Sequence, residues 1–261
     1  MEKNISELTR KTARVKTVRL FLDYDGTLAN FAPSPDIILP DVKVISLLER
    51  LVVAEGILPA VISGRRLAHI KNLLPVAGLL MGGTYGIEMQ LPDGTEHTTL
   101  PFESVRPLLE KLLPRWQALI DQRKGFYLED KGWSLAIHGR FADPHESRLL
   151  MAEAYAEAQN LPPGDDFRLM SGDRFLELAP KAASKKTAIT RVIEALTPTD
   201  ALCISIGDDD KDEEAFGALP SKRGFAVRVS SEPVESRAQY RLAGPDQVHA
   251  FLDDLLTARN A

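Results

Sequence analysis

The stretch VRLFLDYDGTL, Val18 to Leu28, decides how this chain is read. Val18 to Leu22 is a short, mostly apolar run that stops abruptly at Asp23, Tyr24, Asp25 and Gly26. A run of that length bounded by a turn signal fits a strand buried on both faces, as in a parallel sheet. Such a strand delivers two carboxylates, two residues apart, at its C-terminal end.

The same pattern recurs on either side of a changed middle section. After a Pro-rich loop, Asp41 to Glu55 carries Val44, Leu47, Leu48 and Leu51 at helical spacing, with Gly56 as a stop. Ile57 to Ile62 reads as a second buried strand ending in Ser63, Gly64 and Arg65. A helix through Leu67 to Leu74, a strand over Leu79 to Met81 and a hairpin over Glu88 to Thr99 around Pro92, Asp93 and Gly94 follow. Ser184 to Leu196 reads as a helix, Leu202 to Ile206 and Phe225 to Val229 as strands, and Asp246 to Leu256 as a last helix. Strand and helix alternate, the pattern of an α/β fold with a doubly wound, mostly parallel sheet.

From about Phe102 the order becomes helix, two strands, helix, two strands: a helix to Arg123, strands at Phe126 to Asp130 and Trp133 to His138, a helix over Pro144 to Asn160, and strands near Phe167 to Met170 and Phe175 to Leu178. This is a smaller α+β layer inserted in the first domain. The expected division is a core of residues 1–101 and 180–261 with an insert of 102–179. No element is assigned to the first seventeen residues.

Bulk properties narrow the function. The chain has 261 residues, enough for a sizeable core, and its 44% hydrophobic and 26% charged residues are ordinary for a globular protein. A net charge of −5 argues against nucleic acid, whose phosphates are met by clustered Lys and Arg. The one cysteine, Cys203, lies in an apolar run and reads as a buried structural thiol, with no intrachain disulfide possible. No run is long enough for a membrane span and the N-terminus lacks an apolar signal core, so the cytoplasm is the expected location and no membrane partner is expected. Nothing signals assembly, and a monomer is favoured.

Gly26 lets both carboxylates and a backbone carbonyl converge, which suits a hard cation; magnesium prefers oxygen ligands and typically takes one or two carboxylates plus substrate phosphate and water. A second acidic cluster, Gly207-Asp208-Asp209-Asp210-Lys211-Asp212-Glu213, also follows a buried strand, so two strand ends can offer acid to one ion. Alone, that cluster reads equally well as a solvated loop and an acid-rich helix N-terminus. Ser63 follows a third strand and could merely cap the next helix. Lys185 stands beside a helix cap at Ser184, where an anion is favoured, with Lys181 and Lys186 as rivals. His69, His97, His145 and His249 lack zinc-site spacing and read as surface residues. Ser184-Lys185-Lys186-Thr187 lacks the preceding glycines of a phosphate-binding P-loop.

In order and spacing, DYDGTL (Asp23 to Leu28), SGR (Ser63 to Arg65), Lys185 and GDDDKDE (Gly207 to Glu213) resemble the four motifs of the haloacid dehalogenase superfamily. The insert falls where that superfamily carries C2-type cap domains. GTYGIE (Gly83 to Glu88), EDKGWSLAIHGR (Glu129 to Arg140) and LELAPKAASKKTAI (Leu176 to Ile189) are similar to the trehalose-6-phosphate phosphatase branch. Tyr85, Gly139, Lys186 and Lys211 depart from it, standing where histidine, an aromatic, glycine and threonine are usual.

The resemblance implies a magnesium-dependent phosphatase acting on a small-molecule sugar phosphate, trehalose 6-phosphate first. It makes Asp23 the nucleophile and Asp25 the proton donor and then acceptor, with Lys185 and Mg2+ offsetting repulsion between two anions. It assigns the metal to Asp23, the Asp25 carbonyl, Asp208 and Asp212. Phosphate contacts fall to Ser63, Gly64, Arg65 and Lys185, and substrate contacts to Gly83 and Glu88. In the insert, alternation puts Trp133, Leu135 and Ile137 on one face and Ser134, Ala136 and His138 on the other, reaching Arg140. That alternation and the resemblance together make Glu129, Lys131, His138, Arg140 and Glu177 the expected sugar contacts. Other glycosyl phosphates (of glucosyl- or mannosylglycerate, or sucrose), a phosphomannomutase-type mutase and a receiver-like phosphoacceptor are the alternatives.

Overall fold

The computed structural model describes residues 4–30, 39–161, 166–172 and 174–260. Most of the Pro-rich loop expected after the first strand, residues 31–38, lies outside them. In chain order the elements are α1 (Ile5–Thr12), β1 (Val18–Leu22), α2 (Val42–Val53), β2 (Ile57–Ile62), α3 (Leu67–Leu73), β3 (Leu80–Gly83), β4 (Glu88–Gln90), β5 (Glu96–Thr98), α4 (Phe102–Ile120), β6 (Tyr127–Asp130), β7 (Leu135–His138), α5 (Pro144–Asn160), β8 (Phe167–Gly172), β9 (Phe175–Pro180), α6 (Lys185–Leu196), β10 (Leu202–Gly207), α7 (Asp210–Phe216), β11 (Gly224–Val229), β12 (Tyr240–Leu242) and α8 (Pro245–Asn260). The chain forms two compact units, Met1–His97 with Ser184–Ala261, and Thr98–Ala183. The second is slightly wider than the 102–179 drawn from sequence. Among the described residues no helix is long and apolar enough to cross a membrane.

The first unit is built on one sheet of order β12-β11-β10-β1-β2-β3-β4-β5. From β12 to β3 the strands are parallel, and β4 turns back antiparallel to β3. In register, Leu22 stands opposite Ile206 of β10 and Val61 of β2, so three neighbouring strands end at one level. The chain runs outward from β1 through β2 and β3, then returns to the other side of β1 through β10, β11 and β12. The order therefore reverses beside β1, the position where open α/β sheets bind ligands beyond their strand ends.

Alternation along the buried strands feeds two cores. Leu20, Leu22 and Val61 pack with Leu8 of α1, Leu48 of α2, Ile70 of α3 and Leu252 of α8 on one face. Phe21, Ala60 and Ile62 pack with Ile189 of α6 and Ala215 of α7 on the other. Arg19 is charged yet buried in the central strand because its guanidinium is satisfied: it donates to the carbonyls of Leu58 at 3.1 Å and Leu196 at 2.5 Å and to Thr197 Oγ1 at 3.1 Å. Burial lowers its pKa to about 10. The cation thus sits at the carbonyl end of α6, where the helix dipole favours it.

The second unit is a four-stranded antiparallel sheet, β6-β7-β9-β8, with α4 and α5 packed against it. Leu135 opposite Leu178 and Ile137 opposite Leu176 make a buried apolar row. The other face carries Glu129, Ala136 and Glu177 side by side across three strands. Trp116 of α4 is fully buried and donates its indole N–H to the Ala154 carbonyl of α5 at 2.9 Å.

Three elements go beyond the sequence reading, one of them α7, which forms where an Asp-rich loop was expected. The N-terminal stretch forms α1, whose Asn4 side chain accepts from Ser6 N at 3.0 Å and whose Leu8 is fully buried; eight residues offer too few turns for a periodicity signal. β12 is three residues long and gives no alternation to read. The helix expected to reach Arg123 ends at Ile120.

Candidate active site

Asp23 leaves the end of β1 with its own N–H on the Ile206 carbonyl at 3.0 Å, so the ladder aims it beside the end of β10. There Asp23, Asp208 and Asp212 each present an oxygen within 4.8 Å of the others. Lys185 Nζ donates to Asp23 Oδ1 at 2.6 Å and Asp212 Oδ1 at 2.8 Å. Ser184 caps α6, its hydroxyl accepting from Thr187 N at 3.3 Å, which places Lys185 in the first turn and turned inward. Lys181 and Lys186 are exposed, so the structure separates Lys185 from its sequence rivals.

The acidic loop is shaped from within. The Asp209 carboxylate accepts from Lys211 N at 2.9 Å and Asp212 N at 3.0 Å, a reciprocal cap of α7 that commits it to the helix. Asp212 accepts from the backbone N–H of Asp208 at 3.2 Å and Asp209 at 3.3 Å. A Cβ on Gly207 would lie 2.0 Å from Asp212 Cγ, so only glycine lets this carboxylate fold back under the loop. Glu213 is held by Ser236 Oγ, Arg237 N and Arg228 at 2.5, 3.0 and 3.4 Å. Thr27 Oγ1 donates to Asp208 Oδ1 at 3.3 Å. Asp209 and Glu213 are therefore turned to protein partners, leaving Asp23, Asp208 and Asp212 as the convergent set.

Three close acids against one lysine leave excess negative charge in a buried place. Burial pushes the Asp23 carboxyl up to about 7, with Lys185 pulling it down and Asp208 pushing it up. Burial and the charge of Asp212 raise Asp208 to about 7 as well. Asp212, fully enclosed, is pushed well above the usual range. Burial works against the charge of Lys185, but Asp212 and Asp23 outweigh it and hold the ammonium well above its ordinary value. An all-oxygen donor set with surplus charge fits a hard divalent cation.

The Asp25 side chain has a partner of its own. Both its oxygens are gripped by Arg65, Nε to Oδ2 and Nη2 to Oδ1, each at 2.7 Å. Ser63 is buried, and its hydroxyl accepts from Arg65 N at 3.1 Å. Gly64 lies under the ring of Tyr85, which a Cβ would meet at 2.7 Å. Thr84 and Tyr85 both adopt positive φ, 47° and 56°, a conformation L-residues resist. It is held by Thr84 N on the Arg65 carbonyl at 2.7 Å and Tyr85 N on the Ser63 carbonyl at 2.8 Å. Glu88 completes the clasp, accepting from Thr84 Oγ1 at 2.7 Å and Leu67 N at 3.2 Å. Gly83 lets α3 come close, since a Cβ there would sit 2.1 Å from Leu67 N. Gly83 and Glu88, expected at the substrate, are thus engaged in holding the loop that follows β3.

In the second unit, four of the five expected sugar contacts come together. Glu177 is fully buried and accepts from Lys131 Nζ at 3.2 Å and Ser134 Oγ at 2.6 Å. Glu129 lies 3.9 Å from Lys131 Nζ and 2.9 Å from His138 Nε2. His138 stacks on Tyr127, ring centroids 4.4 Å apart and ring planes nearly parallel. The fifth, Arg140, is exposed, with its carbonyl accepting from Arg174. Gly139 is forced small, because a Cβ would meet Ser147 Oγ at 2.7 Å and the Phe126 ring at 2.8 Å.

Two histidines read as surface residues are half-buried instead. His69 lies against Arg65, its ring nitrogens 3.3 and 3.4 Å from Nη1, and His249 Nε2 lies 2.8 Å from the Leu28 carbonyl. The His249 contact is invisible to local pattern, since it joins residues 221 apart, whereas His69 meets Arg65 only four residues away. Cys203 is buried, as read.

Comparison with known proteins bears on the family and the fold. The chain is 30% identical to the trehalose-6-phosphate phosphatase of Escherichia coli K12, over 91% of this chain and 86% of that one. It is 26% identical to trehalose-phosphate phosphatase B of Arabidopsis thaliana, over 94% of this chain and 67% of that one. The fold is that of the Candida albicans trehalose-6-phosphate phosphatase C-terminal domain, with TM-score 0.86, 20% identity and 98% of each chain covered. Residues 21–246, which span every motif described above, match the trehalose-phosphatase family as a whole, and the chain belongs to that family of phosphoric monoester hydrolases.

Proposed function

We propose that this chain hydrolyses trehalose 6-phosphate to trehalose and phosphate, with magnesium bound, through an aspartyl-phosphate intermediate on Asp23. The single observation that carries the reading is Asp23 at the end of β1, 2.6 Å from Lys185 Nζ and converging with Asp208 and Asp212. Asp23, the Asp25 carbonyl, Asp208 and Asp212 would hold the magnesium. Bound there, the ion would supply positive charge to the phosphoryl oxygens and the attacking carboxylate.

The chain's own residues do the rest. Lys185 neutralises part of the charge of Asp23 and of the approaching phosphate, so an anionic carboxylate can attack an anionic phosphorus. Ser63 and Gly64 contact the phosphoryl oxygens from the loop after β2. Asp25 gives a proton to the departing sugar oxygen, then takes one from the water that hydrolyses the acyl phosphate. Little further covalent help is needed, because phosphoryl transfer rests mainly on positioning and electrostatics.

The second unit acts as a C2-type cap that chooses the sugar, through the polar face carrying Glu129, Lys131, His138 and Glu177, with Arg140 at its rim. A buried carboxylate beside an ammonium and a hydroxyl offers directional acceptors and donors for sugar hydroxyls. Glu177→Gln is expected to raise KM for trehalose 6-phosphate by roughly 10-fold or more, the scale of one charge-assisted hydrogen bond. Turnover of p-nitrophenyl phosphate, which lacks the sugar, should change little; an equal loss on both substrates would remove Glu177 from sugar recognition.

The deciding experiment is phosphate release from a set of sugar phosphates, with magnesium present and then chelated. The largest kcat/KM is expected for trehalose 6-phosphate. A larger value for a glycosylglycerate phosphate or sucrose 6-phosphate would keep the chemistry and move the substrate. Turnover that required a sugar bisphosphate would point to a mutase, and no turnover at all would sink the reading.

A further inference from the structure

Arg65 lies in the motif that the sequence reading assigns to the phosphate, yet its guanidinium faces elsewhere. Nε and Nη2 form a two-point contact with Asp25, both at 2.7 Å, which uses one donor edge of the guanidinium and both oxygens of the carboxylate. The side chains are largely enclosed, 10% and 25% exposed. Nη1 lies against His69, and the guanidinium carbon is 6.0 Å from the centre of the Tyr24 ring. The backbone of Arg65 is fixed as well: its N–H is on Ser63 Oγ at 3.1 Å and its carbonyl accepts from Thr84 N at 2.7 Å. A planar fork held at both ends is a means of fixing a carboxylate's orientation, which a point-charge lysine lacks.

We propose that Arg65 is a positioning residue that acts through Asp25, setting the orientation from which this carboxylate reaches the sugar oxygen and then the water. Asp25 precedes a glycine-assisted bend, Gly26 having φ 84°, and both oxygens of its carboxylate are held by Arg65, so the guanidinium sets the direction in which the carboxylate points. The strained turn at Thr84 and Tyr85 contributes to the same end, because Thr84 N anchors the Arg65 carbonyl and Glu88 anchors Thr84. His69 and Tyr24 hold the remaining edge and face of the guanidinium. The inference rests on the proposed role of Asp25 in proton transfer.

The test is a double-mutant cycle of Asp25→Asn and Arg65→Ala on trehalose 6-phosphate with magnesium. Asp25→Asn alone should lower kcat by roughly 100-fold or more, the usual scale of general acid–base help. Arg65→Ala alone should lower kcat by roughly 10- to 100-fold with KM nearly unchanged, since misplacing a catalytic group by an ångström costs about that much. In the Asp25→Asn background, Arg65→Ala should lower kcat no further, because an arginine acting only through Asp25 has nothing left to position. Arg65→Lys should recover part of the rate in the wild-type background alone, and it replaces Arg65→Ala in the cycle if the alanine variant does not fold. Independent, multiplying losses together with a raised KM would overturn the proposal and return Arg65 to the phosphate. A normal kcat for Asp25→Asn would instead overturn the acid–base reading beneath it.

Discussion

Asp23→Asn is expected to abolish phosphate release from trehalose 6-phosphate, by about four orders of magnitude or more, while leaving the protein as stable as before or more so. The loss in rate follows from removing the attacking group, since knocking out a nucleophile alone can cost nearly everything its whole catalytic unit supplies. The stability expectation has a separate cause. In the metal-free protein the Asp23 carboxyl is raised to about 7, burial being the main reason. Its charge is therefore unfavourable on balance, despite the 2.6 Å contact with Lys185. A neutral amide of the same shape removes that penalty above pH 7, and Lys185 keeps Asp212 at 2.8 Å. Phosphate assays and thermal melts at pH 8 without metal check both halves. A variant that kept more than about a hundredth of the activity would exclude Asp23 as nucleophile.

Chelating the divalent ion should likewise stop turnover, and its effect on stability should depend on pH with a definite sign. Asp23 and Asp208 are both raised from 3.8 to about 7, and Asp212 lies higher still. A carboxyl raised in the folded state binds its proton more tightly there than in the unfolded chain. Its favourable contribution is complete below the unfolded value near 4 and is lost as pH rises through 7. The metal-free protein should therefore lose stability as pH rises from about 4 through 7. Magnesium binds the ionised form and compensates the charge that the protons had neutralised. The gain in Tm on adding magnesium should then be larger at pH 8 than at pH 5. Equal gains at the two pH values would mean that these three carboxyls are not the binding set.

Much of the fold was legible because its signals are local. Val18 to Leu22 is a strand whose ends show in the sequence: apolar residues before it stops, then Asp and Gly. The helix cap at Ser184 could be read the same way, its hydroxyl accepting from a backbone N–H three residues on. α1 and β12 were too short to carry a period. The inserted layer could be read because a run of helix and paired strands breaks the strand–helix alternation on both sides of it.

The site divides along a similar line. Asp23, Asp25 and Asp208 could be picked out because each follows a buried strand, and strands that end at one level bring their next residues together. Residue pattern alone left Lys185 with two rivals, and the family resemblance chose it. Its first-turn position on α6 put its Nζ between Asp23 and Asp212, and left Lys181 and Lys186 outside. Arg65 carried no local sign of its partner, because Asp25 is 40 residues away. The need for glycine at 207 depends on where the Asp212 carboxylate folds. Glu88 was expected at the substrate from the motif it closes, and here it is the acceptor that holds a strained turn.

The sequence by itself determined the strands, the order of the acidic motifs and the chemical types gathered at the strand ends, since hydrophobic period and turn residues act over a few positions. Tertiary structure alone decided which acids of the GDDDKDE loop turn to α7 and which to the open cluster, and that Arg65 meets Asp25, and it put the Nζ of Lys185 against Asp23. These are choices among similar side chains, made by burial and by distances of a few ångströms between residues far apart in the chain. No local pattern encodes them.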